Sequence, residues 1–287
     1  MIDKILWASD GSNYSTEALK YVELLAKKFK TEILGLHIIQ DYHAVAEKLS
    51  SEKKNKFIKW IEDTRSKERE RLEDIAKDFK EKGISFRMEI TTGIPYKEIL
   101  RVADRENVDL IALGRGRSFE KFILGGTALK VLRESSLPVL TVGEGRKSLD
   151  IKSILVPTDL LSTSRLSEAF RYAAELSNEF GATIYSLNVV EIGDYNFPID
   201  VIKQIREFSF RELEENLSKI RGRKNIETFV EVANNIWGSI VKFANEKDID
   251  LIVMMTYSGK RFSKDFISSV AERVIQGTSC PIITIKP

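Results

Sequence analysis

Two short segments of the sequence carry residue types suited to holding a phosphorylated ligand. The first is Ser9-Asp10-Gly11-Ser12, in which a carboxylate directly follows a short apolar run. A carboxylate at that position could accept hydrogen bonds from ribose hydroxyls or help to hold a divalent cation. A structural role is the alternative, because Asp10 could instead cap the first turn of the following helix.

The second segment is rich in glycine and arginine: it contains Gly114, Arg115, Gly116 and Arg117, and is followed by Gly125, Gly126 and Thr127. Glycines allow backbone N–H groups to approach a phosphate closely, and the N-terminus of a helix adds a favourable partial charge. The two arginines could add charge-assisted hydrogen bonds to phosphate oxygens. The alternative is a flexible surface loop that ends in a glycine helix start. A Gly-x4-Gly-Lys-Ser/Thr motif is absent from the sequence, which excludes a P-loop. The first helix is not opened by a Gly-x-Gly-x-x-Gly run, which argues against the usual dinucleotide-binding fold.

The elements that must position these segments occur twice along the chain. Five blocks recur in the same order, including Lys4–Asp10 with Ser153–Asp159, Val108–Ile111 with Ile249–Ile252, and Ser136–Val142 with Ser279–Ile285. A length of 287 residues is also that of two ordinary domains. We therefore predict two domains, at residues 1–146 and 147–287, joined by the polar, glycine-containing stretch 143–148.

Within each copy, apolar runs typical of buried strands alternate with segments of helical periodicity. In the first copy the strands are predicted at Ile5–Ala8, Ile33–Ile39, Phe86–Ile90, Leu110–Leu113 and Val139–Val142. Ser15 or Thr16 can cap the first helix. A long helix is predicted between the second and the third strand, from about Ser50 to Lys82, and its mixed charges are typical of a solvated helix face. This alternation predicts an α/β fold of two tandem, open, five-stranded parallel sheets flanked by helices, a Rossmann-like arrangement. Such sheets bind ligands beyond the carboxyl ends of their strands, where the strand order reverses, and both candidate segments follow strand ends.

Composition narrows the classes of function. The 45 Lys and Arg residues against 43 Asp and Glu residues leave a net charge of +2, which gives no global excess of positive charge for binding nucleic acid. Apolar runs stay well short of the roughly 18 residues that a membrane span needs, and the first residues do not resemble a signal peptide, so we expect no membrane partner and a cytoplasmic location. A single cysteine, Cys280, and two histidines, His37 and His43, argue against a metal site.

Taken together, the repeated blocks resemble a tandem universal stress protein, a branch of the adenine-nucleotide α-hydrolase-like superfamily. The resemblance covers nearly the whole chain and rests on the opening Ile-Leu-x-x-x-Asp-Gly-Ser, the Leu-His-Ile-Ile strand, the Gly93-Ile-Pro95 turn and the Leu137-Pro-Val-Leu strand. In ATP-binding members, a Gly-x2-Gly-x9-Gly-Ser/Thr motif holds phosphate and ribose, the aspartate after the first strand reaches ribose or metal, and a backbone group after the second strand recognises adenine. The resemblance implies a nucleotide site formed by Asp10, Ile38, Gly114, Gly116 and either Gly125-Gly126 or Gly126-Thr127.

The sequence departs from that motif in both copies. The first copy has Gly-x-Gly where the family has Gly-x2-Gly, so this part of the loop is one residue shorter. In the second copy, Met255, Ser258 and Ser268 stand at the glycine positions, where side chains would crowd the path of the phosphates, although Asp159 remains. We expect the first domain to bind nucleotide and the second domain to bind it weakly or not at all.

The resemblance also implies an arrangement of the two domains. In the family, short apolar strands near the sheet edge, here Val139–Val142 and Ile282–Ile285, pair across a two-fold axis between subunits. Since one chain carries both copies, we expect the two domains to form an internal pseudo-dimer, and two chains could form a further homodimer.

These features predict a stress-response protein that binds ATP or AMP, with Mg²⁺ at the phosphates as a further implication, and that acts on an unidentified protein partner. The predicted cofactor-binding residues are Ser9, Asp10, Ile38, Gly114, Arg115, Gly116, Arg117, Gly125, Gly126 and Thr127. Neither a nucleophile–base pair nor paired catalytic carboxylates are recognisable, so at most slow ATP hydrolysis is expected. One alternative is a nucleotide-independent scaffold or chaperone-like interaction protein with vestigial pockets. A second is an adenylylating ligase, but two minimal copies leave no residues for a substrate domain.

Overall fold

A computed structural model of the chain defines the fold. The residues that it describes are 2–40, 50–118, 121–124, 126–143, 149–159, 163–193, 195–219, 225–256 and 269–286. Within these ranges, only the backbone is described for residues 117–118, 121–124 and 163–167.

Strands and helices alternate along both halves of the chain, which we call the first and the second domain. The elements of the first domain are β1 (Lys4–Ser9), α1 (Asn13–Phe29), β2 (Glu32–Gln40), α2 (Ser51–Glu81), β3 (Phe86–Gly93), α3 (Pro95–Arg105), β4 (Leu110–Gly114), β5 (Arg117–Ser118), β6 (Lys121–Leu124), α4 (Gly126–Glu134) and β7 (Val139–Val142). Those of the second domain are β8 (Ser153–Thr158), α5 (Thr163–Phe180), β9 (Thr183–Glu191), α6 (Ile199–Ser218), β10 (Ile226–Ala233), α7 (Ile236–Glu246), β11 (Leu251–Met255), α8 (Ser269–Gly277) and β12 (Ile282–Ile285). The predicted alternation is present in both copies, whereas the antiparallel β5–β6 hairpin was not predicted.

Ten of the described strands form one open sheet. Their order is β10-β9-β8-β11-β12-β7-β4-β1-β2-β3, and the neighbouring strands within each domain are parallel. The two domains meet where β7 and β12 run antiparallel, with Leu140 opposite Ile283. The predicted fold, two five-stranded parallel sheets packed as an internal pseudo-dimer, is therefore confirmed. The backbone ladder between β7 and β12 joins the two sheets edge to edge, as the resemblance implied.

The central strands of the sheet are apolar along nearly their whole length, so both of its faces must be buried. Helices cover both faces. One core layer lies under α1, α2, α5 and α6 and includes Trp7, Phe79 and Phe170. The other lies under α3, α4, α7 and α8 and includes Ile99 and Phe243. Each layer contains buried residues from both domains. In the part of the chain that the structure describes, no helix combines the length and the apolar character needed to cross a bilayer.

A buried hydrogen bond fixes the start of α1 against β1. The indole N–H of Trp7 donates to the backbone carbonyl oxygen of Ser15 at 2.8 Å. Trp7 lies in the middle of β1 and Ser15 lies in the first turn of α1. This bond therefore holds the intervening turn, residues 10–12, at the carboxyl end of the sheet.

Candidate functional site

The strand order of the first domain reverses at β1. From β1 the chain continues to β2 and β3 on one side of the sheet and then returns to β4 and β7 on the other side. The last pairs of these strands place Ser9 opposite His37 and Ala8 opposite Leu113. Since Asp10 directly follows β1 and Gly114 ends β4, these two residues flank the crevice at the reversal, which is where open parallel sheets bind ligands.

Asp10 lies in a tight turn that hydrogen bonds to the start of α1. Its Oδ1 accepts a hydrogen bond from the Ser12 N–H at 3.0 Å and from the Ser12 hydroxyl at 2.6 Å. Ser12 in turn caps α1, because its Oγ accepts the Ser15 N–H at 3.3 Å. Gly11 has φ +77°, a left-handed conformation that favours glycine. The capping role considered for Asp10 thus belongs to Ser12, and Asp10 holds the capping residue in place.

The same hydrogen bonds keep Asp10 ionised. Partial burial raises the pKa of Asp10, but the hydrogen bonds from the hydroxyl and N–H of Ser12 outweigh it and hold this pKa below its ordinary value. Asp10 is therefore a carboxylate at neutral pH and can accept hydrogen bonds from hydroxyl groups of a ligand.

Gly114 is required by packing between β4 and α1. A Cβ at this position would lie 2.3 Å from the carbonyl carbon of Tyr14 and 2.5 Å from the N atom of Ser15. No side chain can be accommodated so close to main-chain atoms. At Gly116 a Cβ would make only ordinary contact, at 3.6 Å from the Tyr14 ring. The first glycine of the loop therefore has a structural reason that does not depend on a ligand.

The first turn of α4 lies open to solvent. Gly126 and Thr127, its first two residues, are exposed, and among the described residues outside the helix no atom lies within 4 Å of the position that a Cβ of Gly126 would take. The first N–H groups of a helix have no acceptor within the helix and can donate to an anion. Of the neighbouring candidates, Gly125 lies outside the described residues, and Arg117 is described only as backbone in β5.

Arg115 does not have the role predicted for it. Its side chain is 2% exposed, and the guanidinium donates hydrogen bonds to backbone carbonyl oxygens of the second domain instead of facing the crevice. Its backbone N–H also has an acceptor, since it donates to the carbonyl oxygen of Val142 at 2.7 Å. The expectation that Arg115 binds phosphate is corrected accordingly: this residue belongs to the contact between the domains.

Ile38 follows the last residue of β2 that pairs with β1. It is half-buried, lies opposite Thr91 of β3 and packs against the core layer under α3. Because β1 ends opposite His37, the backbone of Ile38 is the first part of β2 beyond the end of β1. This is the position at which the resemblance expects adenine recognition.

Under the Asp10 turn, the predicted site residue Ser9 belongs to a cluster of polar side chains. Its other members, His37, Glu68 and Arg71, were not predicted as site residues. Arg71 donates to the Ser9 hydroxyl at 2.6 Å and to Oε2 of Glu68 at 2.8 Å. Nδ1 of His37 lies 3.4 Å from the same Glu68 oxygen. Burial lowers the pKa of His37 and outweighs the nearby Glu68 carboxylate, which raises it, so the imidazole is neutral. Ser9 is 4% exposed and is held by Arg71, so its hydroxyl supports the turn from below.

One sequence signal could have placed Glu68 in this cluster. Glu68 precedes the buried Leu72 by four residues on α2, and the half-buried Arg71 follows Glu68 by three. Residues at these spacings share one face of a helix. The mixed charges of this stretch led instead to the interpretation of α2 as a solvated helix face.

In the second domain, the corresponding turn has different partners. Asn188, at the position that corresponds to His37, donates to the carbonyl oxygen of Thr158 at 3.0 Å. Asp159 and Met255 are half-buried, and Met255 packs against the core. The positions Ser258 and Ser268, on which the prediction of a degenerate loop depends, lie outside the described residues. Throughout the described ranges, no three His, Cys, Asp or Glu side chains lie close enough together to hold a metal ion.

These features define a class of protein: a tandem α/β protein whose two parallel sheets join into one, with a crevice at the reversal of strand order. The family model described as the universal stress protein family matches residues 1–143 and 150–286. The chain belongs to this family.

Individual relatives match either one half of the chain or its whole length. A universal stress protein of Methanocaldococcus jannaschii is 30% identical over 141 residues, which is 47% of this chain and 82% of the relative. The crystal structure of a universal stress protein from Archaeoglobus fulgidus DSM 4304 has the same fold, with a TM-score of 0.73 and 22% identity over 99% of this chain and 98% of that chain. Another structure of a universal stress protein from Archaeoglobus fulgidus, solved in complex with dAMP, covers 47% of this chain and 98% of its own, with 26% identity and a TM-score of 0.34.

Proposed function

We propose that the protein binds an adenine nucleotide, ATP or AMP, in the crevice of its first domain and acts in the stress response as a nucleotide-dependent regulatory or protective module. The observation that carries the proposal is the position of Asp10 and Gly114 on either side of the reversal of strand order. Open parallel sheets bind their ligands at this position. The family resemblance supplies adenine nucleotides as the class of ligand.

The residues around the crevice provide what a bound nucleotide needs: a charged hydrogen-bond acceptor, backbone hydrogen-bond donors, and space for the phosphates. The ionised Asp10 offers acceptors to the ribose hydroxyls or to Mg²⁺ bound at the phosphates. The first turn of α4, at Gly126 and Thr127, offers backbone N–H groups to the phosphates, with room in front of Gly126. The backbone of Ile38 lies at the end of β2, where it can recognise the adenine.

Titration calorimetry of the full chain with ATP tests this proposal. Asp10→Ala removes the anionic acceptor, and Gly126→Val puts a branched side chain into the free space at α4. Each variant should abolish detectable binding or weaken it at least about tenfold, since a hydrogen bond to a charged group contributes about 1.5–3 kcal/mol. The matched control is Asp159→Ala, which removes the corresponding aspartate of the second domain and should leave the affinity unchanged.

Wild-type affinity in both first-domain variants, each shown to be folded by circular dichroism, would show that the nucleotide does not bind in this crevice. Mass spectrometry of the denatured, freshly purified protein provides a second test, because a bound adenine nucleotide should co-purify. If no nucleotide co-purifies and calorimetry detects no binding, the scaffold or chaperone-like alternative replaces the proposal.

A further inference from the structure

We infer that the second domain positions the loop between β4 and α4 of the first domain, and that Arg115 is the positioning residue. This loop, residues 115–125, leads into the first turn of α4, which is proposed to hold the phosphates, so the inference rests on the proposed function. It assigns the second domain a part in the nucleotide site of the first domain that does not depend on whether the second domain binds a ligand itself.

The contact that supports this inference starts at the first residue of the loop. The Arg115 guanidinium donates hydrogen bonds to three backbone carbonyl oxygens of the second domain: through Nη1 to Ile275, and through Nη2 to Thr278 at 2.8 Å and to Cys280 at 3.2 Å. These acceptors lie 160 to 165 residues further along the chain. At 2% exposure, the arginine is buried between the domains.

The acceptors explain why a buried arginine is stable here. Of the three acceptors, Ile275 lies in the last turn of α8, which ends at Gly277, and Thr278 and Cys280 lie just beyond it. The last carbonyl groups of a helix lack partners within the helix and carry a partial negative charge. The guanidinium supplies several donors and a fixed positive charge, which together match this helix end. Arg115 of the first domain thus acts as a C-terminal cap for a helix of the second domain.

Residues of the first domain also fix the position of the Arg115 guanidinium. The backbone N–H of Arg115 donates to Val142 in β7, which extends the β4–β7 ladder by one bond. A Cβ at Gly143 would lie 2.9 Å from Nη2 of Arg115. The absence of a side chain at Gly143 therefore leaves the space through which the guanidinium reaches α8.

A second contact joins the same loop to the same helix. Strand β6 (Lys121–Leu124), near the end of the loop, lies against α8. The loop is therefore in contact with the second domain both at its first residue and shortly before α4 begins. Both contacts are made to one element, so a shift of α8 would move the loop at two points.

Holding the loop in place lowers the cost of binding a phosphate. A loop that is ordered before the ligand arrives does not lose conformational entropy on binding, and this raises the affinity. The coupling is reciprocal by thermodynamic linkage: nucleotide in the first domain must stabilise the contact with α8 by the same factor. A nucleotide bound in the first domain therefore changes the stability of a contact that the second domain makes through α8.

Three variants of the full chain separate this positioning role from simple loss of contact between the domains. Arg115→Lys keeps the charge but replaces the planar guanidinium, whose two nitrogen atoms donate to three carbonyl groups, by a single ammonium nitrogen. Gly143→Ala places a methyl group against Nη2 while Arg115 itself stays. The matched control is Arg133→Ala, which removes another arginine that crosses between the domains, where Nη2 of Arg133 donates to Oε2 of Glu272 at 3.2 Å. Arg133 lies near the end of α4 and outside the loop.

Calorimetry with ATP and hydrogen exchange are the measurements. We expect about tenfold weaker ATP binding in Arg115→Lys and Gly143→Ala and unchanged binding in Arg133→Ala, within the range usual for coupled sites. Without ligand, amide exchange of residues 114–118 should be faster in the first two variants only. In the wild type, ATP should slow exchange at residues 275–280 of the second domain.

Wild-type affinity and wild-type loop exchange in a folded Arg115→Lys or Gly143→Ala protein would overturn the inference. Gly143→Ala keeps the test decisive if Arg115→Lys does not fold. If the wild type binds no ATP, the proposed function fails by itself, and exchange of the loop without ligand then decides the inference alone: unchanged exchange in both variants refutes a positioning role, and faster exchange supports it.

Discussion

His37 links the stability of the first domain to pH. The imidazole is buried beside β1, and its charge is influenced by Glu68, Arg71 and Asp10. Burial is the largest effect and lowers the pKa of His37 below its ordinary value of 6.5. His37 in the unfolded chain therefore takes up a proton at a higher pH than His37 in the folded chain does. Between the two pKa values, the free energy of unfolding must fall as the pH decreases.

The corresponding variant is His37→Asn, which introduces the residue that the second domain has at this position, Asn188. The stabilisation that neutral His37 provides is fully present above pH 6.5 and is lost as the pH falls through the folded-state pKa. Thermal unfolding followed between pH 7 and pH 5 should show a shallower decrease in the variant, since each proton taken up on unfolding contributes about 1.4 kcal/mol per pH unit. The control is His43→Asn, at the other histidine of the chain; equal slopes in His37→Asn and the wild type would contradict the prediction.

The residues of the site divide into those with a local signal in the sequence and those without one. Asp10 and Gly114 were predicted to lie together because each follows a strand end, and the structure brings both to the crevice. Arg115 also follows a strand end, but its acceptors are carbonyl groups 160 or more residues away. Every residue has a carbonyl group, so no residue type marks such an acceptor in a sequence, and the role of Arg115 appears only in the folded chain.

At the scale of elements, glycine is required for different reasons at the two positions that flank the loop between β4 and α4. Gly114 ends β4 against the backbone of α1, whereas Gly126 begins α4 at a position that no described residue outside the helix approaches within 4 Å. The resemblance treats both as parts of one phosphate motif. Packing distinguishes them, because only the first is needed for the fold in the absence of a ligand.

Substitution of each glycine by alanine tests this distinction. Gly114→Ala forces a methyl group onto the main chain of Tyr14 and should lower the free energy of unfolding by at least about 2 kcal/mol. Gly126→Ala meets no atom of the described residues outside its own helix and should raise the free energy of unfolding by up to about 1 kcal/mol, because alanine is the better helix former. Urea denaturation measures both values, and equal effects of the two substitutions would refute the packing argument.

Element boundaries were predicted best where periodicity is long. The long charged helix was predicted from about residue 50 to residue 82 and is observed as Ser51–Glu81. The start of α1 was predicted at a cap formed by Ser15 or Thr16, but Ser12 is the cap, because the Asp10 turn brings its hydroxyl to the helix. The β5–β6 hairpin was missed because strands of two and four residues are too short to show alternation.

At the scale of the whole molecule, the duplication settles a problem that each domain has alone. Strand β7 is apolar and fully buried, yet it would form an exposed sheet edge in an isolated first domain. In the full chain β12 covers it, and the core layers continue from one domain to the other. The resemblance implied this pairing, because these edge strands pair across a two-fold axis between subunits in the family and one chain here carries both copies.

An isolated first domain, residues 1–146, should therefore dimerise through β7, with a second copy of β7 in the place of β12. The backbone N–H groups of Ile111 in β4 and of Arg115 directly after β4 donate to the carbonyl groups of Pro138 and Val142. The alternate residue Thr141 therefore directs its N–H away from β4 and toward β12. Thr141→Pro removes that donor without removing a bond to β4, and should convert the dimer into a folded monomer. Light scattering coupled to size-exclusion chromatography distinguishes the two species. A wild-type first domain that stays monomeric at tens of micromolar would mean that the β7 edge does not drive association, and that the linker, rather than strand complementarity, holds the two halves of the sheet together.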